Sequence, residues 1–387
     1  MHVKFERIVA HSLYLLPVLT VFTLMLHCVA HGAAARPDWQ AEWERTLQAA
    51  GKEGKVVVYT GGRGTYNWEK IFGEFEKKYP DIKVSQVSAG SGTQGGLRIM
   101  AERRAGKFLV DLTIGGASSI HQTIYKAKAL DPIKPALILP EVTDKSKWWR
   151  DGQYNYSDEE QNYIFAFNGK TQSYFTYNSK LVDPNEFKSY WDLLNPKWKG
   201  KMVAFDPAAS GSAAVPLRLL YYSPELGPQF LRKLLGEMDL AASRDTTQIV
   251  NWLATGKYAI SIFTAIDNAR IPEAKKQGLP VDWFAPKTFK EGVILSLGSG
   301  NVSLINRAPH PNAARVLLNW LLAREAQILY QRIDLGQDSQ RIDIPKDEVP
   351  EYSRRVEGVN YVVTEQPKWI DFEPITQLVN EVWQRRR

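Results

Sequence analysis

The sequence predicts an α/β protein of two lobes, with a hinge and a ligand cleft between them. Three observations carry the prediction. Short apolar runs alternate with amphipathic helical patterns, as parallel sheets covered by helices require. An aromatic-rich stretch interrupts the alternation, which then resumes, so the pattern occupies two regions. About 350 residues follow a leader-like first 35, more than one core usually serves.

The elements follow in order. A helix is expected from Asp38 to Gly51, with Trp39, Trp43 and Leu47 at helical spacing. Lys55-Val56-Val57-Val58-Tyr59 has the apolar continuity of a buried parallel strand. After the Gly61–Gly64 loop comes a helix with Trp68, Ile71, Phe72, Phe75 and Tyr79 on one face, stopped by Pro80. The unit then repeats twice: strand 82–87, loop 88–96, helix 97–105, and strand 108–114, loop 115–119, helix 120–128. Residues 154–178 are dense in aromatics and read as extended segments crossing between lobes. The second region offers strand 201–205, a loop 206–212 running into a helix through Tyr221, a helix 247–255 and a strand 258–263. A strand pair is expected around Gly298-Ser299-Gly300, then a long helix from Pro311 through Leu329. A Pro-rich tail follows, with a final helix near 374–383.

Residues 1–35 have the three parts of a cleaved secretory signal. Lys4 and Arg7 precede the 14-residue apolar run Leu13–Leu26, and Gly32-Ala33-Ala34-Ala35 ends the segment. The run is shorter than the ~20 residues that span a bilayer. Cys28 does not read as a lipid-attachment site, because the bulky His27 precedes it. Cleavage after Ala35 removes this single cysteine and leaves His121 and His310 of the six histidines. No thiol chemistry, metal site or cofactor is then expected, and triad hydrolysis is disfavoured. The net charge of +7 falls to +6, since Lys4, Arg7 and Glu6 sum to one positive charge. Lys and Arg are scattered apart from Arg385-Arg386-Arg387, which argues against nucleic acid and fits a field that attracts small anions. The location expected is the periplasm, and the state a monomer.

In open α/β sheets ligands bind beyond the carboxyl ends of the strands. Five such ends here carry small and polar residues. The ligand-binding candidates in the first region are Thr60, Gly61 and Arg63, then Ser91, Gly92 and Thr93, then Gly116 and Ser118. The second region supplies Asp206, Ser210, Gly211 and Ser212, then Thr264 and Asp267, and the crossing segment supplies Tyr174. Glycine admits close approach of backbone to ligand, and a following helix offers free N–H groups. Ordinary βα turns with capped helices would use the same residues. No phosphate-loop lysine, nucleophile elbow or dinucleotide fingerprint occurs, and Glu159-Glu160 reads as solvated surface.

These residues carry a resemblance. Lys55–Thr60, Phe72-x-x-Phe75-Glu76-Lys77-Lys78-Tyr79-Pro80, Glu102-x-x-x-Gly106-x-x-x-x-Asp111, Tyr177-Asn178, Asp192-Leu193-Leu194-x-Pro196-x-Trp198-Lys199-Gly200-Lys201, Gly256-x-Tyr258-Ala259-Ile260 and the stretch from Pro309 through Ala326 occur in order along most of the chain. Together they resemble the type II periplasmic solute-binding proteins of ABC importers, in the branch related to ferric-iron-binding proteins. The resemblance implies capture of a small molecule by hinge closure, then docking on an inner-membrane ABC permease, without enzymatic turnover. It also implies a discontinuous first lobe (36–172 and 270–330), a second lobe (173–269) and a tail (331–387) packing on both. Ferric-binding relatives place paired tyrosines after the strand that matches 258–263, whereas this chain reads Thr264-Ala265-Ile266-Asp267-Asn268. Hard Fe(III) favours phenolate and carboxylate oxygens. The expected solute is therefore a phosphonate, sugar phosphate or carboxylate, with iron held by Asp206, Asp267, Tyr174 and Tyr177 as the alternative. A sensing role uses the same cleft.

Overall fold

The computed structural model describes residues 39–61, 67–209, 213–264, 270–333 and 336–383. The expected leader lies outside them. Among the described residues, no helix is long and apolar enough to cross a membrane.

The first sheet is ordered Lys83–Ser88, Lys55–Thr60, Leu112–Gly115, Asn301–Ile305, Leu130–Asp131, with Phe165–Ala166 also against Asn301–Ile305. Its first three strands are parallel, in register Val58↔Leu112 and Val58↔Gln86. Helices Trp39–Glu53, Trp68–Lys78 and Pro311–Leu322 bury Ala50, Trp68, Ile71, Phe72, Phe75 and Leu317 in its core. The third strand is shorter than the expected 108–114. At Asp111 the fully buried carboxylate, not a backbone carbonyl, accepts from Val57 N–H (2.7 Å), and it also accepts from His310 N–H (2.8 Å). The expected helix from Pro311 through Leu329 breaks at Ala323, where ψ is 158° and the Glu141 carboxylate accepts from Arg324 N–H to start Arg324–Ile333.

The second sheet is ordered Val281–Trp283, Thr176–Asn178, Ile260–Ile262, Met202–Phe205, Ala241–Ser243. Met202–Phe205 lies parallel to both neighbours, and Thr176–Asn178 is antiparallel to its own. Leu217, Leu219, Phe230, Leu231 and Leu234 bury their side chains with these strands, beside Tyr190 stacked on Phe289. Residues 270–283 pack with this sheet. Helix Arg270–Lys276 packs Ile271 and Ala274 against Leu253, and Val281–Trp283 completes the edge beside Thr176–Asn178.

A third, three-stranded sheet joins the two: Tyr361–Val362, Val293–Ser296, Lys170–Thr171. The pair expected around Gly298 is therefore no hairpin. Val293–Ser296 belongs to this bridging sheet and Asn301–Ile305 to the first, so the glycine turn is a crossing between lobes. The other crossing passes through Lys170–Thr171. The tail grips that crossing through buried polar groups. Arg355 Nη1 donates to Gly169 O (2.6 Å), and Gln340 Nε2 to Ala166 O (3.0 Å). Lys346 Nζ spends its three donors on Asp338, Gln331 and Ser339 O, each at 2.7 Å. Farther on, Glu373–Val382 lays Ile375, Leu378 and Val379 into the second core.

Candidate ligand cleft

The strand-end loops of the first sheet pack backbone against backbone. Gly61 N–H donates to Ile114 O (2.9 Å) and Ala89 N–H to Thr60 O (3.0 Å), tying the three strand ends together. A Cβ on Gly61 would lie 2.6 Å from Gly92 Cα, and one on Gly92 would lie 3.0 Å from Ser119 Cβ. Glycine is thus required by contact between loops. The helix Gly92–Arg104 begins with a reciprocal cap: Ser91 Oγ accepts from Gln94 N–H (3.2 Å), and Gln94 Oε1 accepts from Ser91 N–H (3.0 Å). Thr93 and Ser119 share a hydroxyl contact of 3.2 Å.

These loops form one wall of a cavity of about 710 Å³. Ser91, Thr93, Gly116 and Ser118 line it, with Gly92 between the first two. The Ser118 hydroxyl is buried and has no hydrogen-bond partner among the described residues. The opposite wall is Pro207–Ala209 with Ala214, Val215 and Arg218 from the second lobe. Gly298 contributes from the crossing, and the tail adds Glu365, Phe372, Thr376 and Asn380. A second cavity of about 770 Å³ lies beside the edge strand Val281–Trp283, with Tyr177 and Tyr352 in its walls. It involves neither lobe's strand-end loops, so the first is the candidate site.

Several expected residues stand elsewhere. Thr60 is buried, its Oγ1 accepting from Gln86 Nε2 (3.0 Å). Gly61 spaces the loops without lining the cavity. Asp206 is buried too, because its carboxylate accepts from Arg244 Nε (3.0 Å), Trp383 Nε1 (3.1 Å) and Ala208 N–H (3.1 Å). Thr264 Oγ1 donates to Ile262 O (3.1 Å) and accepts from Ser261 Oγ (2.9 Å). Tyr174 belongs to the second core and is hydrogen-bonded to Ser296; burial pushes its phenol up from its ordinary value. Arg63, Ser210, Gly211, Ser212 and Asp267 lie outside the described residues. His121 and His310 both face carboxylates, Glu159 and Asp111, at 2.9 Å.

Arg218 and Glu365 are the residues the sequence reading passed over. Arg218 lies within helix Ala214–Tyr222, flanked by the buried Leu217 and Leu219, and is only 6% exposed. That lone cation in an apolar helix was the available signal. Its Nε has no hydrogen-bond partner among the described residues, and its guanidinium lies 5.3 Å from the Phe372 ring centroid. Glu365, 7% exposed, follows the bridging strand Tyr361–Val362, where nothing in its neighbours distinguishes it. Burial lowers the Arg218 pKa, which Glu365 partly offsets. Burial likewise raises Glu365, which Arg218 partly offsets.

The geometry has counterparts among known proteins. The family model for bacterial extracellular solute-binding proteins matches residues 37–328. An uncharacterized Haemophilus influenzae protein is 25% identical over 285 residues, 73% of this chain and 76% of its own. A Salmonella typhimurium periplasmic protein, provisionally named for 2-aminoethylphosphonate binding, is 27% identical over 234 residues. That match covers 59% of this chain and 64% of the relative, less than two thirds of its length. Among solved structures, a Trichodesmium protein (IdiA, FutA) in complex with iron and citrate superposes with a TM-score of 0.65 at 18% identity. It covers 85% of this chain and 99% of its own. AfuA from Actinobacillus pleuropneumoniae, with fructose-6-phosphate bound, gives 0.58 at 18% identity, covering 85% and 97%. With the family model spanning the strands of both large sheets, the chain belongs to the bacterial extracellular solute-binding protein family.

Proposed function

We propose that the cleft captures a small anionic organic solute for delivery to the permease of an ABC importer. The observation that carries this reading is Arg218, a guanidinium on the cavity wall whose Nε has no hydrogen-bond partner among the described residues, facing loops rich in hydroxyls. An uncompensated buried cation is costly, and an anion is the group that relieves it. The N-terminus of helix Gly92–Arg104 favours negative charge on the opposite wall. Phosphonates, sugar phosphates and carboxylates share this chemistry. The bound molecules of the relatives, citrate with iron and fructose-6-phosphate, fit it as well. The iron alternative has less support, because Tyr174 and Tyr177 are buried outside this cavity.

The test is calorimetric titration with a panel of phosphonates, sugar phosphates and carboxylates, joined to small-angle scattering. The reading expects binding with compaction and an unchanged ligand. It fails if no panel member binds, or if only ferric citrate does, with a tyrosinate colour. Conversion of a bound ligand would indicate an enzyme instead. Scattering also checks the expected monomer, and fractionation of the producing cell checks export to the periplasm.

A further inference from the structure

Arg218 and Glu365 present an unusual pair. Both are more than nine-tenths buried, both line the same cavity, and they carry opposite charge. Among the described residues neither forms an ion pair, although each feels the other's field. Two opposite charges withdrawn from water and not in direct contact recover only part of the attraction that would offset their desolvation. A missing partner standing between them restores it. We infer that the cleft takes a short zwitterion, its anionic group on Arg218 and the hydroxyl loop of Ser91, Thr93 and Ser118, and its ammonium on Glu365. The inference rests on the anion reading and adds a second charge to the solute.

Other solute classes leave one of the two groups uncompensated. A simple anion satisfies Arg218 but brings like charge toward the Glu365 carboxylate. A simple amine satisfies Glu365 and faces the guanidinium. A neutral polyol satisfies neither charge. Glu365 lies in the tail, outside the stretch 37–328 matched by the family model. Thr364 Oγ1 donates to Glu365 Oε2 at 3.4 Å, and Glu365 lines the cavity.

The experiment is calorimetry with matched probes: 2-aminoethylphosphonate against ethylphosphonate, and γ-aminobutyrate against butyrate. The wild-type protein is expected to bind at least one amino compound about tenfold or more tighter than its des-amino partner, as loss of one side of a buried charge pair requires. Glu365→Gln should bring that preference to within about threefold, chiefly by raising the des-amino affinity as the like charge is removed, and Arg218→Gln should weaken both. The wild-type comparison needs no variant, so misfolding of either substitution does not rescue the idea. If des-amino probes bind as well as the amino compounds, the zwitterion fails and the anion reading stands. If only the sugar phosphates or carboxylates of the broader panel bind, the zwitterion again fails alone. If nothing in either panel binds, both fall.

Discussion

Gly61→Ala isolates the contact that shapes the first wall of the cleft. Gly61 has its φ outside the left-handed region, so alanine can adopt its backbone conformation. The cost is contact alone. The new methyl would meet Gly92 Cα at 2.6 Å and Gly92 N at 2.8 Å, and backbone atoms have no rotamer to move away with. Separating the loops to ordinary contact needs roughly an ångström of movement, in the range where overpacking costs about 1–3 kcal/mol. For a chain of this size that is a fall in Tm of about 1–4 °C. Gly73→Ala is the internal control. It sits inside helix Trp68–Lys78 with nothing within 4 Å of an added Cβ, so it should gain about 0.5–1 kcal/mol from helix propensity. Thermal unfolding followed by circular dichroism compares the two. Opposite signs are expected. A Gly61→Ala protein that unfolds with the wild type, or rises with Gly73→Ala, would refute the close packing of the two loops.

Three further outcomes follow from the same structure. Ser91→Ala removes the helix cap and one side of its reciprocal box, and should cost about 1 kcal/mol in chemical denaturation. Asn319→Leu deletes the fully buried side chain that accepts from Ile138 and Leu139 N–H and donates to Ala136 O; it should destabilise by about 2–4 kcal/mol, with unchanged cleft selectivity. Lys346 is pushed down to about 8 by burial, against an ordinary 10.5. Between those values the unfolded chain binds the proton and the folded one does not, so stability from this group rises with pH. The unfolding free energy of wild type minus Lys346→Met should increase from pH 8 toward 10.5, and a decrease would contradict the buried position.

Local pattern carried much of the fold. The strand Lys55–Thr60 and the helix face Trp68, Ile71, Phe72, Phe75 are stated by residue type at fixed spacing, and both appear where the spacing puts them. Ser91, Thr93, Gly116 and Ser118 could be picked out as strand-end residues, and they come together on one wall. The misplacements share a cause. Asp206 and Tyr174 have the chemistry of ligand contacts, but Trp383 lies 177 residues from Asp206, and no local pattern announces that bond. Phe108 and Leu109 look like strand residues, but the Asp111 carboxylate accepts from Val57 N–H, and Leu109 is about half exposed. Arg218 was hidden by the opposite effect. A helix interior predicts burial, and only the folded chain shows that the buried cation borders a cavity.

The tail changes how closure of such a cleft must work. Two crossings alone would leave the lobes free to rotate about the bridging sheet. Here residues 338–355 are fastened to the first crossing by Arg355 on Gly169 O and Gln340 on Ala166 O. Residues 371–383 are fastened to the second lobe by Tyr222 on Asp371 O (2.6 Å), Arg232 with Glu381 (2.8 Å) and Trp383 on Asp206. The tail is therefore a third strap, anchored on either side of the hinge. Between the anchors, Tyr361–Val362 joins the bridging sheet and Glu365 lines the cavity. A lobe rotation that bends this segment also moves Glu365 relative to Arg218, which rides on a helix of the second core. If the lobes close as proposed, the separation of the two charges would vary with the angle between them. A solute spanning both, as we infer, would then select one angle and turn binding energy into a preference for one conformation.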